Sequence, residues 1–142
     1  MQRLHQILRN RDLYYVEAHQ TVLEVTQRMA DFRIGAIVVL ERGELRGIFS
    51  ERDLMTRVVV AGLDPARVPV AEAMTANPYT IDESALAEEA VAQMQQFGCR
   101  HLPVLRQGEV VGLISMRDLM ALELEERTEE VQQMRAYISG AA

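Results

Sequence analysis

Apolar positions change period several times along the chain, and the changes mark its elements. Leu4, Ile7 and Leu8 fall at helical spacing, so a short amphipathic helix is expected over Gln2–Arg9, broken by Asn10-Arg11-Asp12. Leu13–Val16 is rich in aromatic and branched residues and reads as a strand. Thr21 is placed to cap the next helix, with Glu24 as capping-box partner and Val22, Val25 and Met29 as its buried stripe. That helix should end near Arg33, with Gly35 as the exit. Ile37–Leu40 is too apolar to face water on either side and reads as a central strand. Glu41–Glu44 is a hairpin connection, and Leu45–Phe49 returns beside it. Ser50 caps a helix expected to run to about Ala61, where Gly62 and Pro65 stop it.

After a linker-like stretch, Leu63–Pro69, and a helical turn, Val70–Met74, the series restarts at Asn77–Ile81. Ser84 is the expected cap of a helix that turns Leu86, Ala90, Met94 and Phe97 inward. Leu102–Leu105 and Val110–Ile114 form a second hairpin, joined at Gln107-Gly108-Glu109. Ser115 opens the last helix, expected to reach about Ser139 and to dock by the stripe Val131, Met134 and Ile138. A shift of 65 residues superposes the two series without a gap from Val16 to Met55. Over Met29–Met55, twelve of the 27 pairs are identical, counted along the chain. A repeat this long does not stack as a solenoid of two, so the copies are expected to pack face to face about a pseudo-two-fold axis.

The strongest match is Gly47-Ile48-Phe49-Ser50-Glu51-Arg52-Asp53 against Gly112-Leu113-Ile114-Ser115-Met116-Arg117-Asp118. Each copy lies where a strand becomes a helix. A serine hydroxyl and free backbone N–H groups there form a ready anion site, although the same serine is also an ordinary cap. A carboxylate offers several lone pairs and no donor, so Asp53 and Asp118 suit the two hydroxyls of a ribose; an aspartate in a first turn also complements the helix dipole. Arg52 and Arg117 can hold a phosphate in bidentate fashion, unless they are simply solvated. Arg57 lies one turn after Asp53, free to pair with it or to reach a phosphate. Arg100 and His101 precede the second central strand where the first half has Gly35 and Ala36. Pro103 lacks a backbone donor, so that strand edge should be incompletely paired and leave room for a flat base.

Composition narrows the field. Half of the chain, 49%, is hydrophobic, but there is no Trp and there are only three Phe, so the core must be aliphatic. The net charge of -6 argues against nucleic acid as a main partner. Cys99, the single cysteine, rules out an internal disulfide and reads as a core residue. No metal site is expected, because His101 has no ligand partner at the right spacing, and His5 and His19 read as surface residues. No signal peptide or membrane span is expected, which leaves a soluble cytoplasmic protein as the default. Apolar helical faces carrying Leu119, Leu122, Leu124, Val131, Met134 and Ile138 point to a homodimer.

Each half resembles a cystathionine β-synthase (CBS) domain. The resemblance rests on Met74-Thr75-x-x-Pro78, on Arg100-His101-Leu102-Pro103-Val104 and on the two Gly-x-x-Ser-x-x-Asp endings, and it covers nearly the whole chain. It implies an α/β fold of two βαββα repeats, residues 1–66 and 67–142, forming one Bateman module with an extra N-terminal helix and an extended C-terminal one. It also implies a stand-alone regulatory module without chemistry of its own, whose ligand is AMP, ADP, ATP or NAD(H) and which acts on an unidentified regulated protein. By the same resemblance Thr75, Asn77, Pro78 and Tyr79 line an adenine pocket, although Asn-Pro is also a plain turn signal; Leu13, Tyr14 and Tyr15 would be the matching wall of the first half. Two clefts are then expected. The second has Arg100, His101, Leu102, Pro103, Asn77 and Pro78 beside Ser115, Arg117 and Asp118. The first has Tyr14, Gly35, Ala36 and Ile37 beside Ser50, Arg52, Asp53 and Arg57. The extra arginine predicts that the second fills first. The competing reading is a structural or adaptor homodimer that binds a partner protein with its clefts empty. An enzyme is disfavoured, since no nucleophile, base and orienting group can be assembled.

Overall fold

The computed structural model describes residues 2–140. Chain order gives α1 (Leu4–Ile7), β1 (Tyr15–Glu17), α2 (Val22–Phe32), β2 (Ala36–Glu41), β3 (Glu44–Ser50), α3 (Glu51–Asp53) and α4 (Val70–Ala73). The second series is β4 (Thr75–Ala76), β5 (Ile81–Asp82), α5 (Ala87–Phe97), β6 (His101–Arg106), β7 (Glu109–Ser115) and α6 (Met116–Ile138). The strands form two sheets, β1-β2-β3-β4 and β5-β6-β7, that meet along β3 and β7. In each, a short strand lies parallel to the central one and a hairpin partner lies antiparallel.

The 65-residue shift holds at the level of register. Val16 pairs with Val39, and Ile81 pairs with Val104; Ala36 faces Ser50, and His101 faces Ser115. Even the irregularity between Val39 and Leu40 recurs between Val104 and Leu105. Both hairpins turn through two residues with positive φ, Arg42-Gly43 and Gln107-Gly108, which matches the twist of the flanking strands. One rung differs. The Val38 N–H donates to the Tyr14 carbonyl at 3.4 Å, whereas the equivalent Pro103 has no N–H, and β5 is correspondingly shorter than β1.

Each half has its own aliphatic core. Val16, Val22, Val25, Met29, Ile37, Val39 and Phe49 build the first, and Ile81, Ala90, Met94, Leu102, Val104, Ile114 and Leu119 the second. The halves exchange their leading helices. Leu4 of α1 is buried in the second core, anchored by Leu4 N–H to the Ala85 carbonyl at 2.9 Å. Val70 and Ala73 of α4 are buried in the first, anchored by Val70 N–H to the Gln20 carbonyl at 2.7 Å. The motif glycines permit this crossing. A Cβ on Gly47 would stand 2.6 Å from the Thr75 carbonyl oxygen, and one on Gly112 would stand 2.8 Å from Leu8 Cδ1.

Several local expectations need correction. α2 ends at Phe32 with Arg33 as its left-handed cap at φ 56°, which agrees with the expected end near Arg33, but Gly35 takes no part in that cap. Thr21 caps that helix by accepting from the Glu24 N–H at 3.2 Å, but the Glu24 carboxylate is near Gln20 rather than completing a box. Ser84 caps nothing: it binds the Asp82 carboxylate, and α5 begins after Leu86. Phe97 does not turn inward; it is half exposed and stacked on Tyr79, as Phe32 is on Tyr14. The helix from Ser50 is α-wound only to Asp53, and Leu54–Val59 continues as a π-helix. In that segment Val58 is buried in the first core while Val59 is exposed. The last helix does reach Ile138, but Leu124, Val131, Met134 and Ile138 are exposed and dock on nothing within the described residues. Leu119 and Leu122 belong to the second core instead of an exposed face.

Candidate functional site

The two Ser-x-x-Asp motifs form near-identical capping boxes. The Ser50 N–H donates to Asp53 Oδ2 at 3.0 Å, and the Asp53 N–H donates to Ser50 Oγ at 3.2 Å. The corresponding distances for Ser115 and Asp118 are 3.0 and 3.1 Å. Capping is therefore common to both pairs, and their surroundings decide what else each carboxylate does.

Asp53 is saturated. It also accepts from Ser50 Oγ at 3.1 Å and from Thr75 Oγ1 at 3.2 Å, and Arg57 Nε lies 3.5 Å away. Arg57 spends a further donor on the Met74 carbonyl at 2.8 Å. The residue is 7% exposed. Asp118 has no such enclosure. Its carboxylate takes the Ser115 N–H and one ion pair, Arg11 Nη1 at 3.3 Å, and its side chain remains 30% exposed.

Asp118 opens into a cleft of about 1540 Å³ between the halves. Of the residues singled out in the sequence, Tyr14, Ala36, Arg100, His101, Ser115, Arg117 and Asp118 line it. Ile37 and Leu102 do not, being fully buried core side chains, and Pro103 is buried and stands off the cleft wall. Ser50, Arg52, Asp53 and Arg57 also stand off it.

The leading segments are transposed relative to expectation. Thr75, Asn77, Pro78 and Tyr79 were expected beside Asp118, but β4 adds to β3 of the first sheet and brings Thr75 onto Asp53. Asn77 takes a left-handed φ of 50° in the turn that follows, with its N–H on the Arg46 carbonyl. Tyr14, expected in the first cleft, lines the cleft of Asp118 together with Asn10, Arg11 and Asp12. The repeat shift maps Asn10–Tyr14 onto Thr75–Tyr79, so the signal for these residues was present in the sequence. Arg11, Arg33 and Arg127 are cleft residues that sequence reasoning missed.

The CBS domain profile matches residues 6–60 and 70–125. The chain belongs to the CBS-domain family. It is 33% identical over 129 residues to an Arabidopsis thaliana CBS domain-containing protein, CBSCBSPB1, which covers 88% of this chain. The chain spans only 24% of that relative's length. Among solved structures it is similar to a protein with CBS domains from Burkholderia ambifaria, at 34% identity and TM-score 0.79, covering 84% of this chain and 91% of that one. It is also similar to the CBS domain protein PAE2072 from Pyrobaculum aerophilum complexed with AMP, at 29% identity and TM-score 0.77, covering 89% and 99%.

In this CBS pair the cleft wall carries one more arginine than carboxylate, although the chain as a whole is acidic. Arg11, Arg33, Arg100, Arg117 and Arg127 line it against Asp12, Glu51, Asp118 and Glu123. His101 lies between the two halves. Burial pulls its imidazole below the ordinary 6.5, helped by Arg100 and opposed by the carboxylates of Asp118, Asp53 and Glu51. Cys99 also borders the cleft, but burial pushes its thiol up, away from the thiolate a nucleophile needs. Among the described residues no group of three His, Cys, Asp or Glu side chains is placed to hold a metal ion, and no helix is long and apolar enough to cross a membrane. The arrangement offers a hydroxyl acceptor, a cap serine, several guanidiniums and apolar walls, which is the inventory of a binding site.

Proposed function

We propose that this chain is a regulatory module that binds one adenosine nucleotide, AMP, ADP, ATP or NAD(H), in the cleft of Asp118 and performs no chemistry on it. The observation that carries the reading is the contrast between the two aspartates. Asp118 presents a carboxylate to a cleft wide enough for a nucleotide, next to Ser115, Arg117, Arg100 and His101. Asp53 has its lone pairs filled from within the fold. A relative of the same fold binds AMP, which supports the ligand class. The nucleotide's two ribose hydroxyls donate to Asp118, and its phosphate lies toward the guanidiniums.

A second reading is favoured by a separate observation. The exposed stripe Leu124, Val131, Met134 and Ile138 suits an adaptor homodimer that engages a partner protein with its clefts empty. A thermal-shift panel with AMP, ADP, ATP and NADH separates the two. The nucleotide reading predicts a rise in melting temperature that grows with ligand concentration. No rise at millimolar ligand overturns it and leaves the adaptor.

A further inference from the structure

We infer that Arg11 is a displaceable latch on the ribose acceptor that makes binding depend on the ligand's phosphate. The inference rests on the nucleotide reading of the Asp118 cleft. Asp118 Oδ2 already accepts the Ser115 N–H at 3.0 Å, and Arg11 Nη1 lies 3.3 Å from that same oxygen. Vicinal ribose hydroxyls grip a carboxylate one to each oxygen, and Oδ2 already carries both the Ser115 N–H and Arg11, so a nucleoside and Arg11 compete for that oxygen. The Arg11 backbone is held, with its N–H on the Leu8 carbonyl at 3.0 Å and Leu8 packed against Gly112. The guanidinium is exposed, so the side chain moves while the segment stays.

Where the freed guanidinium goes decides the preference. Arg127 is already paired with Glu123 at 3.0 Å, whereas Arg100 and Arg117 line the same cleft with no ion pair among the described residues. A phosphate entering beside them gives Arg11 a new anionic partner in exchange for Asp118. A bare nucleoside breaks the Arg11–Asp118 pair and returns nothing. The same residue therefore opposes adenosine and favours AMP.

Isothermal titration of adenosine and of AMP into the parent chain and into Arg11→Gln tests this by opposite signs. Adenosine should bind up to about fivefold tighter in the variant, the scale of a half-exposed ion pair. AMP should bind about tenfold or more weaker, the scale of one charge-assisted phosphate contact. If both ligands weaken together, both tighten or neither changes, the latch is wrong even though the nucleotide reading stands. A parent chain that binds no AMP at all removes both.

Discussion

Asp53 and Asp118 hold the same place in the same four-residue cap, and what separates them is the connector that passes by. Thr75 and Arg57 close on Asp53, while Arg11 alone reaches Asp118. Substitution should reflect this. Asp53→Ala leaves Thr75, Arg57 and the Ser50 N–H without their acceptor, so it should destabilise the fold by roughly 1–3 kcal/mol, read as a drop of several degrees in melting temperature. Asp118→Ala loses only a half-exposed ion pair and a cap contact, and its melting temperature should stay close to the parent's. An Asp53→Ala protein as stable as the parent would mean that the enclosure around Asp53 contributes nothing. His101 gives a pH signature. Its folded value lies below 6.5, so between the two values the unfolded chain binds more protons than the native one. Its contribution to stability is therefore present above about pH 6.5 and lost as the pH falls below it. Thermal melts from about pH 7.5 to about pH 5.5 should show a falling transition, and His101→Gln should flatten the fall; an unchanged slope in the variant would place the dependence elsewhere.

At the scale of elements, the repeat was legible because it is written in features a linear shift preserves: the hairpin residues Gly43 and Gly108, the motif glycines and the cap serines. The crossing was not legible. A shift shows which residues are equivalent but not which sheet a connector joins. That choice depends on the bare Cα of Gly47 against the Thr75 carbonyl and of Gly112 against Leu8, contacts between residues far apart in sequence. Hence Thr75 lies on Asp53 and Tyr14 lines the cleft of Asp118, the reverse of what the linear order of the repeats suggests. The π-helix after Asp53 was hidden for a related reason, since helical spacing of Leu54 and Val58 fits either winding over so short a run. In α6 the cap and the length were legible from Ser115 and the periodic stripe, but periodicity does not say what the stripe touches. With that stripe off the core, removing residues 129–142 should leave the melting temperature of a dilute sample nearly unchanged and increase the elution volume of a concentrated one. An elution volume that shifts only by the lost mass would show that the stripe mediates no self-association.

The whole molecule sets an acidic chain, net -6, around a cleft lined by five arginines. An anionic ligand is repelled at long range and held at short range, so its affinity is carried by the partly buried contacts that salt screens least. The repeat symmetry is broken in the same direction at every level: a saturated aspartate and a π-helix in the first half, an open aspartate and a regular 23-residue helix in the second. The expected stoichiometry is one nucleotide per chain. The direct check is isothermal titration of AMP into the parent, Asp53→Ala and Asp118→Ala proteins, each confirmed as folded. The predicted result is a single site per chain that survives Asp53→Ala and weakens at least about tenfold in Asp118→Ala, the scale of a lost charged acceptor. A tight site that persists in Asp118→Ala but vanishes in a folded Asp53→Ala protein would contradict the account.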